Sequence, residues 1–134
     1  MRALFTRLAV LVLFAVPAHL SAQADPVVAG DAAWARRAEG HQGGKAAAAP
    51  IGEAIAAYER AVKEQPARLE ASWKLLRALF FQGEHVAQSN AEKQKIFGRG
   101  KELAEATVDR LAQKVGGRAK LDAMTPQQAA KALL

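Results

Sequence analysis

The stretch Ile51–Gly83, IGEAIAAYERAVKEQPARLEASWKLLRALFFQG, decides the fold. At about 100° per residue, Ile51, Ala54, Ile55, Tyr58, Ala61 and Val62 share an arc of about 120°, while Glu53, Glu59, Arg60, Lys63 and Glu64 lie elsewhere on the wheel. The spacing predicts an amphipathic helix over Ile51–Gln65, stopped by Pro66. A second helix is expected over Arg68–Gln82, with a broader apolar surface. Ala71, Leu75, Ala78 and Leu79 make one stripe, and Leu69, Trp73, Leu76 and Phe80 make another beside it. The two cover about 220° and leave Glu70, Lys74 and Arg77 as a polar strip, the pattern of an inner helix packed on two sides. Trp73 and Phe80 are expected in the core, Arg77 and Phe81 at the surface, and Gly83 is expected to end the helix.

Working outward, Asp31 is expected to cap a helix from Ala32 to about His41, with DPVVAG (25–30) as a short leader and Gly43-Gly44 as the break. Glu84–Lys95 is polar and weakly patterned: a long connection or the solvated start of the next helix. Ile96, Phe97, Gly100, Leu103, Ala104, Thr107, Val108, Leu111 and Val115 then hold one face for about five turns, ended by Gly116-Gly117. Thr125-Pro126-Gln127-Gln128 is a helix start, with Thr at the cap and Gln three residues on. Its short helix, Gln127–Leu134, ends abruptly, which implies a chain truncated relative to its relatives or a tail docked on the core.

Composition fits an all-α chain. Of 134 residues 32 are alanine, which favours helix over sheet, and only eight are aromatic. Without cysteine there are no disulfides, zinc thiolates, Cys nucleophile or lipidated N-terminal cysteine. Residues 1–24 read as a secretory signal: Arg2 and Arg7, the apolar run Leu8–Val16, Pro17, and Ala22-Gln23-Ala24 as small residues before a cut. Cleavage is expected after Ala24, with Ala22 as the alternative. The run is nine residues, against about 20 for a membrane-spanning helix. Retention as an anchor, counted from Ala3 to Ala22, would bury Arg7 and His19. The expected product, residues 25–134, is a helical domain in the periplasm or secreted, without stable membrane insertion. Losing Arg2 and Arg7 lowers the formal charge from +6 to +4, and the remaining charges are interspersed in sign, which argues against a nucleic-acid partner.

Residues 54–66 carry the spacing A-x3-Y-x2-A-x4-P in Ala54, Tyr58, Ala61 and Pro66, which resembles the second half of a tetratricopeptide repeat. Glu70, Ala71, Leu75, Ala78, Leu79 and Gly83 are similar to the next repeat's first helix, with Leu76 where a small residue is usual. Gly100, Ala104 and Thr107 repeat the small-residue spacing about twelve residues late. YERAVKEQP, EASWKLLRALFFQGE, a basic insertion and FGRGKELAEATVDRLA together resemble the T component of TRAP transporters over about residues 32–115. That family is often lipidated and is longer, with further helix pairs.

The resemblance implies antiparallel helix pairs of a degenerate tetratricopeptide-like array, an α-solenoid fragment. It also implies a scaffold for a protein partner, a periplasmic solute-binding protein. The inner-helix residues Glu70, Trp73, Arg77 and Phe81 are the candidate binding residues, and the C-terminal segment Leu121–Leu134 is the alternative cover for Phe81. The other function class is a structural envelope protein, or a truncated repeat protein without a working partner surface.

Catalytic and cofactor signals are not found in the sequence. His41 and His85 lack metal-ligand spacing, Ser72 and Ser89 lie in no nucleophile turn, and the paired glycines lead into no phosphate loop. Glu102 and Glu105 read as a solvated face. No enzyme, cofactor or metal is expected, and the oligomeric state is not specified.

Overall fold

The computed structural model describes residues 24–133, and the expected signal segment, residues 1–24, lies outside them apart from Ala24. Among the described residues the protein is all-α, with six helices: α1 Pro26–Ala35, α2 Ala48–Glu64, α3 Leu69–His85, α4 Asn90–Val115, α5 Arg118–Asp122 and α6 Pro126–Leu133. Each of the first four packs on the next in chain order, and α5 and α6 lie against α4.

The first helix starts earlier than its sequence pattern suggests. DPVVAG is not a leader: the Asp25 carboxylate accepts a hydrogen bond from the Val27 amide, Pro26 takes the first helical position, and Val27 and Gly30 are buried. Asp31 therefore sits inside α1 instead of capping it, and the helix ends at Ala35, not near His41. Apolar and small residues surround α1 on all sides, so its periodicity was hidden.

The α2 helix begins three residues before Ile51. Pro50 is accommodated in the first turn, where its missing N–H would have no partner within the helix. Its predicted face is the buried one: Ile51, Ala54, Ile55, Tyr58 and Ala61 are all in the core.

Gly83 does not end α3. The helix continues to His85, and Gly83 is a contact instead: a Cβ there would lie 2.3 Å from the Phe97 ring of α4. Gly30 plays the same part in α1, where a Cβ would lie 2.3 Å from the Tyr58 ring of α2. Most of the polar segment after Gly83 is helix. Ser89 caps α4 by accepting from the Glu92 amide, and the Glu92 carboxylate accepts from the Gln88 amide. Gly116, at φ 94°, closes α4 as expected, and the Thr125 hydroxyl and Gln128 side chain form the expected reciprocal cap of α6. The short α5 has no counterpart in the sequence reading.

The core joins Val27 and Ala33 of α1, the buried face of α2, Ala71, Leu75, Ala78 and Leu79 of α3, and Ile96 of α4. Of the two α3 stripes only the first is core. Trp73 and Phe80 of the second are 49% and 62% exposed, against expectation. The polar strip takes the place assigned to them. It turns toward α1, where aspartates and an indole meet its cations, and Lys74 is only 8% exposed.

Candidate partner-binding surface

Side chains of α1 and α3 meet in a polar and aromatic seam. At one end Arg68 donates to both Asp25 oxygens at 2.9 and 2.8 Å and to Glu70 at 2.8 Å. One turn on, the Lys74 ammonium donates to Glu70 at 2.7 Å and to Asp31 at 2.6 Å, and the Tyr58 hydroxyl donates to the other Asp31 oxygen at 2.8 Å. Helices α1, α2 and α3 are thus joined by one chain of charge-assisted hydrogen bonds.

The titration directions follow from these partners. Burial opposes ionisation of Asp31, but the bonds from Lys74 and Tyr58 outweigh it and hold the carboxyl below its usual value. Asp25 is lowered by Arg68 and then by the Val27 amide, and Glu70 by Lys74 and then Arg68. Burial opposes the Lys74 charge, yet Asp31 and Glu70 raise it above its ordinary value. Burial, followed by the bond to anionic Asp31, pushes the Tyr58 hydroxyl up to about 12.

Beyond Lys74 the seam becomes aromatic. The Arg77 guanidinium lies 4.0 Å from the centre of the Trp34 ring and 5.0 Å from that of Trp73. Arg37 of the turn after α1 lies 4.5 Å from the same Trp34 ring. Trp34 meets Phe81 edge-on at 5.5 Å, and Phe81 meets His85 at 4.6 Å.

The four candidate residues are therefore placed on one side of α3 but not in one environment. Glu70 is committed to Arg68 and Lys74. Arg77 and Phe81, expected at the surface, are half-buried against Trp34. Trp73, expected in the core, is the open one. The cover over Phe81 comes from α1 and not from the C-terminal segment, whose helices lie against α4. Phe80, on the far flank of α3, stacks on Phe97 at 5.9 Å with the rings 17° apart, and Lys93 approaches Phe97 at 5.5 Å.

Neither Trp34 nor Arg37 is among the candidate binding residues read from the sequence. Their signal was an aromatic and a cation three residues apart, which becomes meaningful only when α1 is set beside α3. Among the described residues no three His, Asp or Glu side chains gather as a metal site would require, and no helix is long and apolar enough to cross a membrane. No family model, curated protein or solved structure matches the chain.

Proposed function

We propose that the chain is an exported helical-repeat scaffold that binds a protein partner, a periplasmic solute-binding protein in TRAP-type transport. The observation that carries the reading is the exposure of Trp73 and Phe80 on α3, a helix already packed on both α2 and α4. Large aromatics left open on a well-fixed helix are the residues that dominate protein interfaces.

The solenoid reading is supported by the order of packing and by a repeated device. Helices α1 and α2 approach through Gly30 against Tyr58, and α3 and α4 through Gly83 against Phe97. In each pair a glycine of the first helix admits an aromatic ring of the second. The four-residue connection 65–68, holding Pro66, turns the chain from one pair into the next, as in antiparallel neighbours. The resemblance of residues 32–115 to the T component then supplies the partner class.

The test is capture of a solute-binding protein encoded beside TRAP permease genes in the same genome. Wild-type protein should retain it, and Trp73→Ala with Phe80→Ala should weaken binding by about tenfold or more, the scale of losing interface anchors. The thermal midpoint should be little changed. Equal binding by the variant, or no binding by wild type, overturns the reading.

A further inference from the structure

From the seam between α1 and α3 we infer that the aromatic end, Trp34, Arg37, Trp73, Arg77 and Phe81, is a docking strip for an acidic, extended segment of the partner protein. This rests on the protein-binding reading and adds the chemistry of what is bound.

Charge carries the argument. Arg36, Arg68, Lys74, Lys93, Arg99 and Arg118 each pair with a carboxylate. Among the described residues Arg37 and Arg77 form no such pair; other cations, Arg60, Lys63 and Lys95 among them, also lack one, and what sets these two apart is that both lie against Trp34. Arg37 donates only to the Trp34 carbonyl at 3.1 Å, and the buried Nε of Arg77 has no hydrogen-bond partner. Both guanidinium groups nevertheless crowd one indole, which places them no more than about 8.5 Å apart. Asp31 is near enough to feel Arg77, but its oxygens are given to Tyr58 and Lys74, and Glu70 is given to Lys74 and Arg68. Two planar cations, pre-set by stacking and lacking a carboxylate, are matched by carboxylates from outside.

Shape selects a polypeptide over a small anion. From Trp73 to Phe81 the strip runs about 12 Å along α3, which an extended chain covers in about four residues, so a peptide of about six spans it with one to spare at each end. The hollow beside it, lined by Phe81, His41 and His85 among others, has a volume of about 170 Å³, below the roughly 300 Å³ at which small-molecule pockets begin. Trp34 lies against both cations, with Trp73 5.0 Å from Arg77 and Phe81 6.0 Å from Arg37, so aromatic surface flanks each charge and the fitting segment alternates acidic and apolar residues.

The probe is a synthetic peptide of about six residues alternating glutamate and leucine, titrated against the whole protein by tryptophan fluorescence and calorimetry. Its glutamine counterpart and free glutamate are the comparisons. The glutamate peptide should bind and should weaken as salt rises. Arg37→Gln with Arg77→Gln should reduce its affinity by about tenfold or more. Arg37→Gln alone, checked for helicity by circular dichroism, gives a smaller loss without touching the half-buried Arg77. Equal binding of the glutamate and glutamine peptides, an unchanged affinity in the Arg37 variant, or equal binding of free glutamate overturns the inference. If the peptide binds as described while no solute-binding protein is captured, the transport reading fails and the acidic-segment site stands. Capture unaffected by the arginine variants gives the opposite result.

Discussion

Tyr58 shows how one side chain can be placed by its neighbours' smallness. Its ring is fully buried, and it occupies the space where Gly30 has no side chain. Gly30→Ala should therefore destabilise by about 1–3 kcal/mol, because the added methyl must displace a ring held by its own hydroxyl bond to Asp31. Helix propensity acts the other way by about 1 kcal/mol. Gly98→Ala is the control: it lies in mid-helix with open space around it and should stabilise by up to about 1 kcal/mol. Urea denaturation of both variants measures the difference in sign. If Gly30→Ala is also stabilising, the contact is not tight. The buried position of Tyr58 was legible from its place on the apolar arc of α2. Its partner was not, since nothing local in DPVVAG shows that Gly30 faces an aromatic ring 28 residues on.

Among the elements, α1 was the hardest to read and is the most dependent on charge. Asp25-Pro26 is a sound helix start in sequence terms, but the stretch behind it lacks a polar face, and the period by which α2 was recognised is missing. The polar strip of α3 was correctly delineated, yet its orientation required knowing where α1 lies. Asp25 and Asp31 of α1 are both held to α3 by cations, and this makes the docking of α1 sensitive to pH. The folded-state pKa values of Asp25, Asp31 and Glu70 lie below their usual 3.8, 3.8 and 4.5. Their contribution is present above those unfolded values and is lost as pH falls through the lower folded ones. At the alkaline end Tyr58 and Lys74 are raised above 10.0 and 10.5, so their contribution is complete below those values and is lost as pH rises through the folded ones, about 12 for Tyr58. Stability should be flat between the two limits. Trp34 reports the acid limb through its fluorescence, and Asp31→Asn should flatten that limb. An acid transition identical in wild type and Asp31→Asn would mean that the pairs to α3 do not hold α1.

Across the whole molecule, burial is uneven along the chain. The main core takes its residues from α1, α2, α3, the segment Val86–Ala87 and Ile96, with Phe97 and Leu103 packed beside it. Farther along α4 only Ala112 and Val115 are buried, and α5 has no buried residue. In α6 Pro126, Gln127, Gln128, Ala130, Lys131 and Ala132 are all exposed. The side chains of Leu133 and Leu134, on which a docked tail would depend, lie outside the described residues. Stability should then fall along the chain as local opening becomes easier away from the core. Removing residues 125–134 should change stability by no more than about 0.5 kcal/mol, the scale of a surface alteration, and shift the midpoint by less than about 4 °C. Removing residues 25–35 should instead unfold the chain, because it takes Val27, Ala33 and both aspartates from the seam at once. Thermal melts of the two deletions compare them directly, and native-state hydrogen exchange should rank α2 and α3 above α4's second half, with α6 least protected. A large loss on removing 125–134 would place the last helix in the core after all, and the open face of α3 would then have to be sought elsewhere.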